Sequence, residues 1–227
     1  QAEDGIRDHC VTGVQTSLPI SKTAQRPAAP SDFGQLLNKF PAVCHNNSNA
    51  LPSAIGVEHH IETTGRPCTA KFRRLDSEKL AAAKAEFFEM ERLGIVRRSS
   101  SCWSSPLHMV KKPDGSWRPC GDFRRLNLAT ADDKYPLPNM GDLSARLAGC
   151  TIFSKLDLKK GYLQVPVRAE DIKKTAIITP FGLFEFLRMP FGLKNAGMTF
   201  QRHMDRVLGG LPFCFIYLED RKSTRLN

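Results

Sequence analysis

Apolar side chains at Leu80, Ala83, Phe87 and Met90 keep three- and four-residue spacing, one face of a helix. Ser77 stands where a cap is wanted and Gly94 where the helix would stop, so a helix opening at Ser77-Glu78 is predicted, its stripe packed in a core. Beyond it the period shortens. Residues 107–110 suit a strand, Pro113-Asp114-Gly115 a turn and Ser116-Trp117-Arg118 a return strand, which together predict a hairpin. Residues 151–158 alternate, with Ile152, Ser154 and Leu156 on one face and Phe153, Lys155 and Asp157 on the other. Gly161-Tyr162 then bends the chain back. A second hairpin follows: residues 175–179, a turn at Pro180-Phe181-Gly182, and residues 183–186. Met189-Pro190-Phe191-Gly192 leads into a helix over 196–208 closed by Gly209-Gly210, and residues 213–218 form a last short apolar strand. Residues 21–67, rich in Pro, Ser, Asn and Ala, read as a linker with one short helix at 33–40.

Charge changes the picture first. The 227 residues carry 33 Lys and Arg against 23 Asp and Glu, a net charge of +10. Such a surplus suggests an anionic partner, with nucleic acid the commonest for an intracellular chain. No run of apolar residues is long enough to span a membrane, and no basic-then-apolar start marks a secretory signal. The seven cysteines include no C-x-x-C pair, which argues for free thiols rather than zinc.

Both ends read as foreign. Residues 1–20 have no usable period. They resemble an in-frame translation of a sequencing-library adaptor: CAA GCA GAA GAC GGC ATA CGA GAT encodes the first eight residues. GAT CGG AAG AGC ACA CGT CTG AAC likewise encodes the last eight, from Asp220. A natural insert of about residues 21–218 is expected. The ends carry four basic and four acidic residues, so the positive surplus is unaffected.

The chemistry sits on strand ends. Two apolar strands each deliver acid at their C-terminal end, Asp157 on one and Glu219-Asp220 on the other. Brought together, such carboxylates suit two divalent cations about 3.5–4 Å apart. Mg2+ is the natural choice for hard oxygen ligands, with Mn2+ able to stand in. The basic hairpin would neutralise a triphosphate, which is the equipment of phosphoryl transfer.

The stretches HHIETTGRPC, SPLHMVKKPDGSWRPCGDFRRLN, YPLPNMGDLSARLAGCTIFSKLDLKKGYLQVPV, KTAIITPFGLFEFLRMPFGLKNAGMTFQRHMDRVL and FIYLED cover about 160 residues. Through them the chain resembles the reverse transcriptase of gypsy-type LTR retrotransposons, a part of a Gag-Pol polyprotein. The resemblance implies an α+β fold: the fingers and partial, ferredoxin-like palm of a right-hand polymerase, with the thumb absent. It assigns residues 76–130 and 167–190 to fingers, 131–166 and 191–220 to palm, 21–75 to a preceding linker, and 1–20 and 221–227 to the foreign ends. Asp157, Glu219 and Asp220 match the metal-binding catalytic acids. Leu158 matches a backbone position beside the second metal and the triphosphate, and Tyr162 the aromatic under the incoming sugar, where its ring would exclude a 2′-hydroxyl. Lys112, or Lys111, and Arg118 match the triphosphate grip. Phe191 and Gly192 match the start of the helix beside nucleotide and template. Asp122, Phe123 and Arg124 are expected to buttress the fingers, an Asp–Arg scaffold pair and a substrate contact both remaining open.

The family pattern ends Tyr-x-Asp-Asp, whereas Tyr217-Leu218-Glu219-Asp220 stands here. A glutamate moves its carboxylate outward by a methylene, a displacement able to cost about a hundredfold in rate. If the insert stopped after GA, the A preceding GAT in the adaptor would complete a GAA codon, so the parent gene is expected to encode Asp at this position. The implied partners are an RNA or DNA template–primer, dNTPs, and the thumb, RNase H and integrase regions of the polyprotein, in a cytoplasmic virus-like particle or the nucleus. The 227 residues alone are expected to be inactive. A non-catalytic nucleic-acid-binding remnant is the alternative, and the retained Asp157, Tyr162, Lys112 and Arg118 set argues against it.

Overall fold

The structure is a computed structural model that describes Lys39, residues 56–151, Leu158 and residues 160–216. Two compact units divide the chain. One, Ala50–Ile152 with Tyr162–Asn227, holds nearly all described residues; the other, Gln1–Asn49 with Phe153–Gly161, contributes only Lys39, Leu158, Lys160 and Gly161 to them.

The larger unit is α+β. Its first helix, α1 (Ser77–Arg92), is capped by Asp76 rather than by the expected Ser77. Asp76 has extended backbone, and its carboxylate accepts the Lys79 amide at 2.8 Å, where a negative group also meets the helix dipole. The predicted stripe is inward-facing, with Ala83 and Phe87 buried and Leu80 and Met90 half-buried. Strand β1 (Val96–Arg98) follows at once, too short for alternation to announce it.

Both predicted hairpins form. The first pairs β2 (Ser105–Lys111) with β3 (Trp117–Gly121), Val110 facing Arg118 and Lys111 facing Trp117. In the second, β4 (Ile177–Thr179) pairs with β5 (Gly182–Phe186) across the two-residue turn Pro180-Phe181. Here the expected strand start at Thr175 is corrected, because Ile172–Thr175 form a 3-10 turn. The Thr175 hydroxyl takes over the ladder's work, donating to the Ile172 carbonyl (2.7 Å) and accepting the Phe186 amide (2.8 Å). The five strands lie in the order β1-β5-β4-β2-β3, antiparallel except where β2 and β4 run parallel.

Two short helices escaped prediction, α2 (Arg124–Ala129) and α3 (Met140–Leu147). The helix α4 (Ala196–Leu208) has the predicted bounds and ends at Gly209. The core comprises Phe87, Phe123, Phe184, Phe200, Ile95, Leu107, Leu126, Ile177 and Met189.

The stretch read as linker joins this core at its C-terminal end. Val57, His59 and Ile61 are buried, His59 bridges Val167, and the Ile61 amide donates to Asp171 at 2.9 Å. The strand expected over 213–218 is also corrected. Residues 213–216 are turn and coil; Tyr217 and Leu218 lie outside the described residues, as do residues 152–157 of the alternating strand. No helix among the described residues is long and apolar enough to cross a membrane.

Candidate functional site

The β2–β3 turn is built by its own side chains. Asp114 accepts from the Ser116 amide (2.9 Å) and hydroxyl (2.7 Å), while the Lys112 amide donates to the Ser116 carbonyl at 2.8 Å. Those bonds from Ser116 hold the Asp114 carboxyl below the usual carboxylate range. Lys111 and Lys112 are thus exposed at the tip of a preformed turn. Trp117 ties that tip to α1. Its indole N–H donates to Glu78 at 2.9 Å, and the Lys79 and Lys111 ammonium groups lie 4.7 and 6.0 Å from its ring centroid. Arg118 is half-buried, and its Nε is fully buried with no hydrogen-bond partner among the described residues. An orphan guanidinium N–H is a costly feature.

Where β3 ends, Asp122 gathers two guanidinium groups. Arg124 donates to both carboxylate oxygens (2.8 and 2.7 Å) and Arg73 to one (2.7 Å). The Arg124 hydrogen bonds, ahead of Arg73 and against partial burial, hold Asp122 far below the usual carboxylate range. The geometry therefore supplies the scaffold pair left open by the sequence, and it adds Arg73, which sequence reasoning missed.

Residues remote in sequence form an aromatic stack. Tyr162, in the 3-10 turn Gly161–Gln164, lies 4.9 Å centroid to centroid from Phe191 and 5.2 Å from Phe200. Such tilted and edge-on contacts are favourable arrangements for rings. The stack grades from buried Phe200 through half-buried Tyr162 to Phe191, which is 39% exposed. Gly192 follows with φ +89°, a backbone that side-chain-bearing residues rarely adopt. A β-carbon there would sit 3.6 Å from the Gly121 carbonyl, so the end of the hairpin and the base of the stack meet at these two glycines.

Asn127, read only as part of a motif, fixes this junction. Its amide nitrogen donates to the Gly192 carbonyl and its oxygen accepts the Lys194 amide, both at 2.8 Å. The Lys194 ammonium bonds the Thr130 carbonyl and pairs with Asp132, each at 2.8 Å, and the Asn195 amide bonds the Ala131 carbonyl at 2.8 Å. Loop 192–195 is consequently sewn to α2 and the segment after it.

Of the predicted residues, the structure brings Tyr162, Phe191 and Gly192 together, beside the hairpin that bears Lys111, Lys112 and Arg118. Leu158 is half-buried and belongs to the smaller unit. Asp157, Glu219 and Asp220 lie outside the described residues. Among the described residues no group of His, Cys, Asp or Glu is arranged to hold a metal ion, and the three acids of the expected metal site lie outside them. Their all-carboxylate chemistry suits a hard divalent cation.

The chain is similar to known proteins. The family profile described as Reverse transcriptase (RNA-dependent DNA polymerase) matches residues 110–220. The Retrovirus-related Pol polyprotein from transposon 297 of Drosophila melanogaster is 38% identical over 193 residues, 82% of this chain and 18% of that protein. That from transposon opus of the same fly is 35% identical over 206 residues, 87% and 20% of the two chains. The Transposon Tf2-3 polyprotein of Schizosaccharomyces pombe is 32% identical over 193 residues, 84% and 14%. The chain spans about a fifth or less of the length of these relatives. Among solved structures, the foamy viral protease-reverse transcriptase in complex with RNA/DNA hybrid superposes with a TM-score of 0.69 at 19% identity, covering 82% of this chain and 25% of that one. The same viral protein in complex with dsDNA gives 0.69 and 19%, with 82% and 39% covered.

Proposed function

Because this chain belongs to the reverse transcriptase family, in the group carried by transposon Pol polyproteins, we propose that it is the fingers and partial palm of an RNA-directed DNA polymerase. The parent polyprotein would copy a template by attack of a primer 3′-oxygen on the α-phosphate of a dNTP, with pyrophosphate leaving. The observation that carries the reading is the junction at Gly121 and Gly192, which joins a basic hairpin to the Tyr162–Phe191 stack.

Each residue then has a physical task. Lys111 or Lys112 supplies a point charge to the triphosphate, and Arg118 a planar donor set. Tyr162, backed by Phe191 and Phe200, presents a wall to the sugar that a 2′-hydroxyl would strike. Asn127 keeps the Gly192 backbone in place. Asp157, Glu219 and Asp220 would hold the divalent cations, two Mg2+ or Mn2+, that this family uses. When bound, such ions stabilise charge on the attacking and leaving oxygens.

Two assays test this. Titration of a fluorescent dNTP should show tighter binding than of the matching ribonucleotide. Tyr162→Ala should erase that preference, and Lys112→Ala or Arg118→Ala should weaken both. Equal binding of the two nucleotides, unaltered by all three changes, refutes the site. Primer extension on RNA by the 227-residue chain should be absent; extension abolished by Asp157→Ala refutes the proposed inactivity of this portion.

A further inference from the structure

We propose that Ser100, on the loop between β1 and β2, is a phosphate acceptor for a serine/threonine kinase that reads cations upstream of its target. Strand β1 ends Arg97-Arg98, and Ser99-Ser100-Ser101 follow, so Ser100 has cations two and three residues before it. Among the described residues, no other pair of adjacent cations is followed two positions later by a serine or threonine. A kinase that selects such a site offers acidic pockets to the two arginines, whose permanent charge and planar donors suit bidentate pairing with carboxylates.

The fold singles out one serine of the three. The Ser99 hydroxyl donates to Glu185 (2.6 Å) and accepts the Ser101 amide (3.0 Å). The Ser101 hydroxyl donates to the Lys173 carbonyl (2.6 Å) and accepts the Trp103 amide (3.0 Å). Both serines are half-buried. Ser100 between them is exposed, and its hydroxyl has no partner among the described residues. The approach to it is also laid out. β1 is an outer strand, paired only with β5, and the Ser99 amide extends that pairing to the Leu183 carbonyl at 3.0 Å. Residues 96–99 are therefore held extended with their other flank open, the form to which a cleft can add backbone bonds. Arg97 and Arg98 keep 58% and 63% of their side chains exposed, although they pair with Glu185 at 2.7 Å and Glu91 at 3.5 Å. Ion pairs with so exposed a cation are weak, so both arginines can turn to a partner's carboxylates, and Glu185 keeps the Ser99 hydroxyl when Arg97 leaves. Lys173, exposed on the turn bonded to Ser101, supplies a third cation. A phosphate on Ser100 would thus be surrounded by donors suited to its oxygens.

In the transfer, a bond forms between the Ser100 Oγ and the γ-phosphorus of ATP while the bond from that phosphorus to its bridging oxygen breaks. ADP leaves, and the hydroxyl proton passes to the kinase's catalytic carboxylate. The proposal is independent of the polymerase reading. For the test, the purified 227-residue chain is incubated with Mg-ATP and the catalytic subunit of a cyclic-AMP-dependent protein kinase, which prefers basic sites, and in parallel with a kinase that prefers acidic sites. Fragment mass spectra locate the phosphate. Ser100 should be modified by the first enzyme and not by the second, and Ser100→Ala should leave the loop unmodified. Arg97→Gln and Arg98→Gln should each lower kcat/KM at Ser100 about 10- to 150-fold, the loss of one charged hydrogen bond to the kinase. Thermal melting of each variant checks the fold; if Arg97→Gln lowers it, Arg98→Gln decides alone, because Glu91 is 37% exposed and stays solvated without its partner. Phosphate on Ser99 or Ser101 with Ser100 bare, a loop left unmodified by the basic-directed kinase, or a rate indifferent to Arg98→Gln overturns the proposal. Equal modification of Ser100 by the acid-directed kinase also overturns it, since the arginines would then not be what is read.

Discussion

Acid should unfold this protein early, and His59 is the reason. Its ring is fully buried, Nδ1 lies 2.9 Å from the Thr199 hydroxyl, and Nε2 has no partner among the described residues. A protonated ring would need acceptors for two N–H groups in a place that offers one. Burial therefore lowers its pKa from 6.5 to about 4; His60 adds to the effect, while Asp171 and Asp133 oppose it without prevailing. Because the folded value lies below the unfolded one, the unfolded chain takes the proton first. The stabilisation is present above pH 6.5 and drains away as pH falls towards 4. The loss runs at up to about 1.4 kcal/mol per pH unit and reaches about 2 kcal/mol between pH 7 and pH 5. Against a typical total of about 5–15 kcal/mol that is a large share. The control is His59→Gln, which can still bond Thr199 but cannot gain a charge. Urea unfolding at the two pH values should show the wild-type midpoint falling by about 1 M more than that of the variant, with equal slopes. Parallel pH dependence of the two proteins would refute the argument, whatever their absolute stabilities.

Two other changes probe the junction. Gly121→Ala would set a β-carbon 2.5 Å from the Phe123 ring and 2.6 Å from Ile177, so thermal unfolding should report a loss of about 1–3 kcal/mol. Asn127→Ala removes both bonds to loop 192–195 and should cost about 1–3 kcal/mol, with faster amide hydrogen exchange at Lys194 and no change in the distant β4–β5 hairpin.

Features written in contiguous residues were legible from sequence. The β2–β3 turn carries its own chemistry in Asp114 and Ser116, and α4 is bounded by its apolar spacing and by Gly209. Features that depend on a distant partner were not. Residues 57–61 do alternate, Val57, His59 and Ile61 inward and Glu58 and His60 outward, but a polar residue at an inward position disguises the period. Thr175 reads as a strand residue, and only the Phe186 amide makes its hydroxyl a ladder substitute. Tyr162 and Phe191 were assigned separate tasks, and their mutual stacking required the fold. Asn127 acts on a carbonyl 65 residues away, a relation no local pattern encodes.

The parallel seam between β2 and β4 has a consequence for biogenesis. Ser105 pairs with Ile177, about seventy residues further along, so the first hairpin emerges from a ribosome long before its neighbour in the sheet exists. Until β4 and β5 arrive, the inner edge of β2 is an open template for other chains, and closing so long a loop is slow. A nascent polypeptide of this kind must wait with one flank uncovered, and synthesis halted between the two hairpins should leave a product prone to clump.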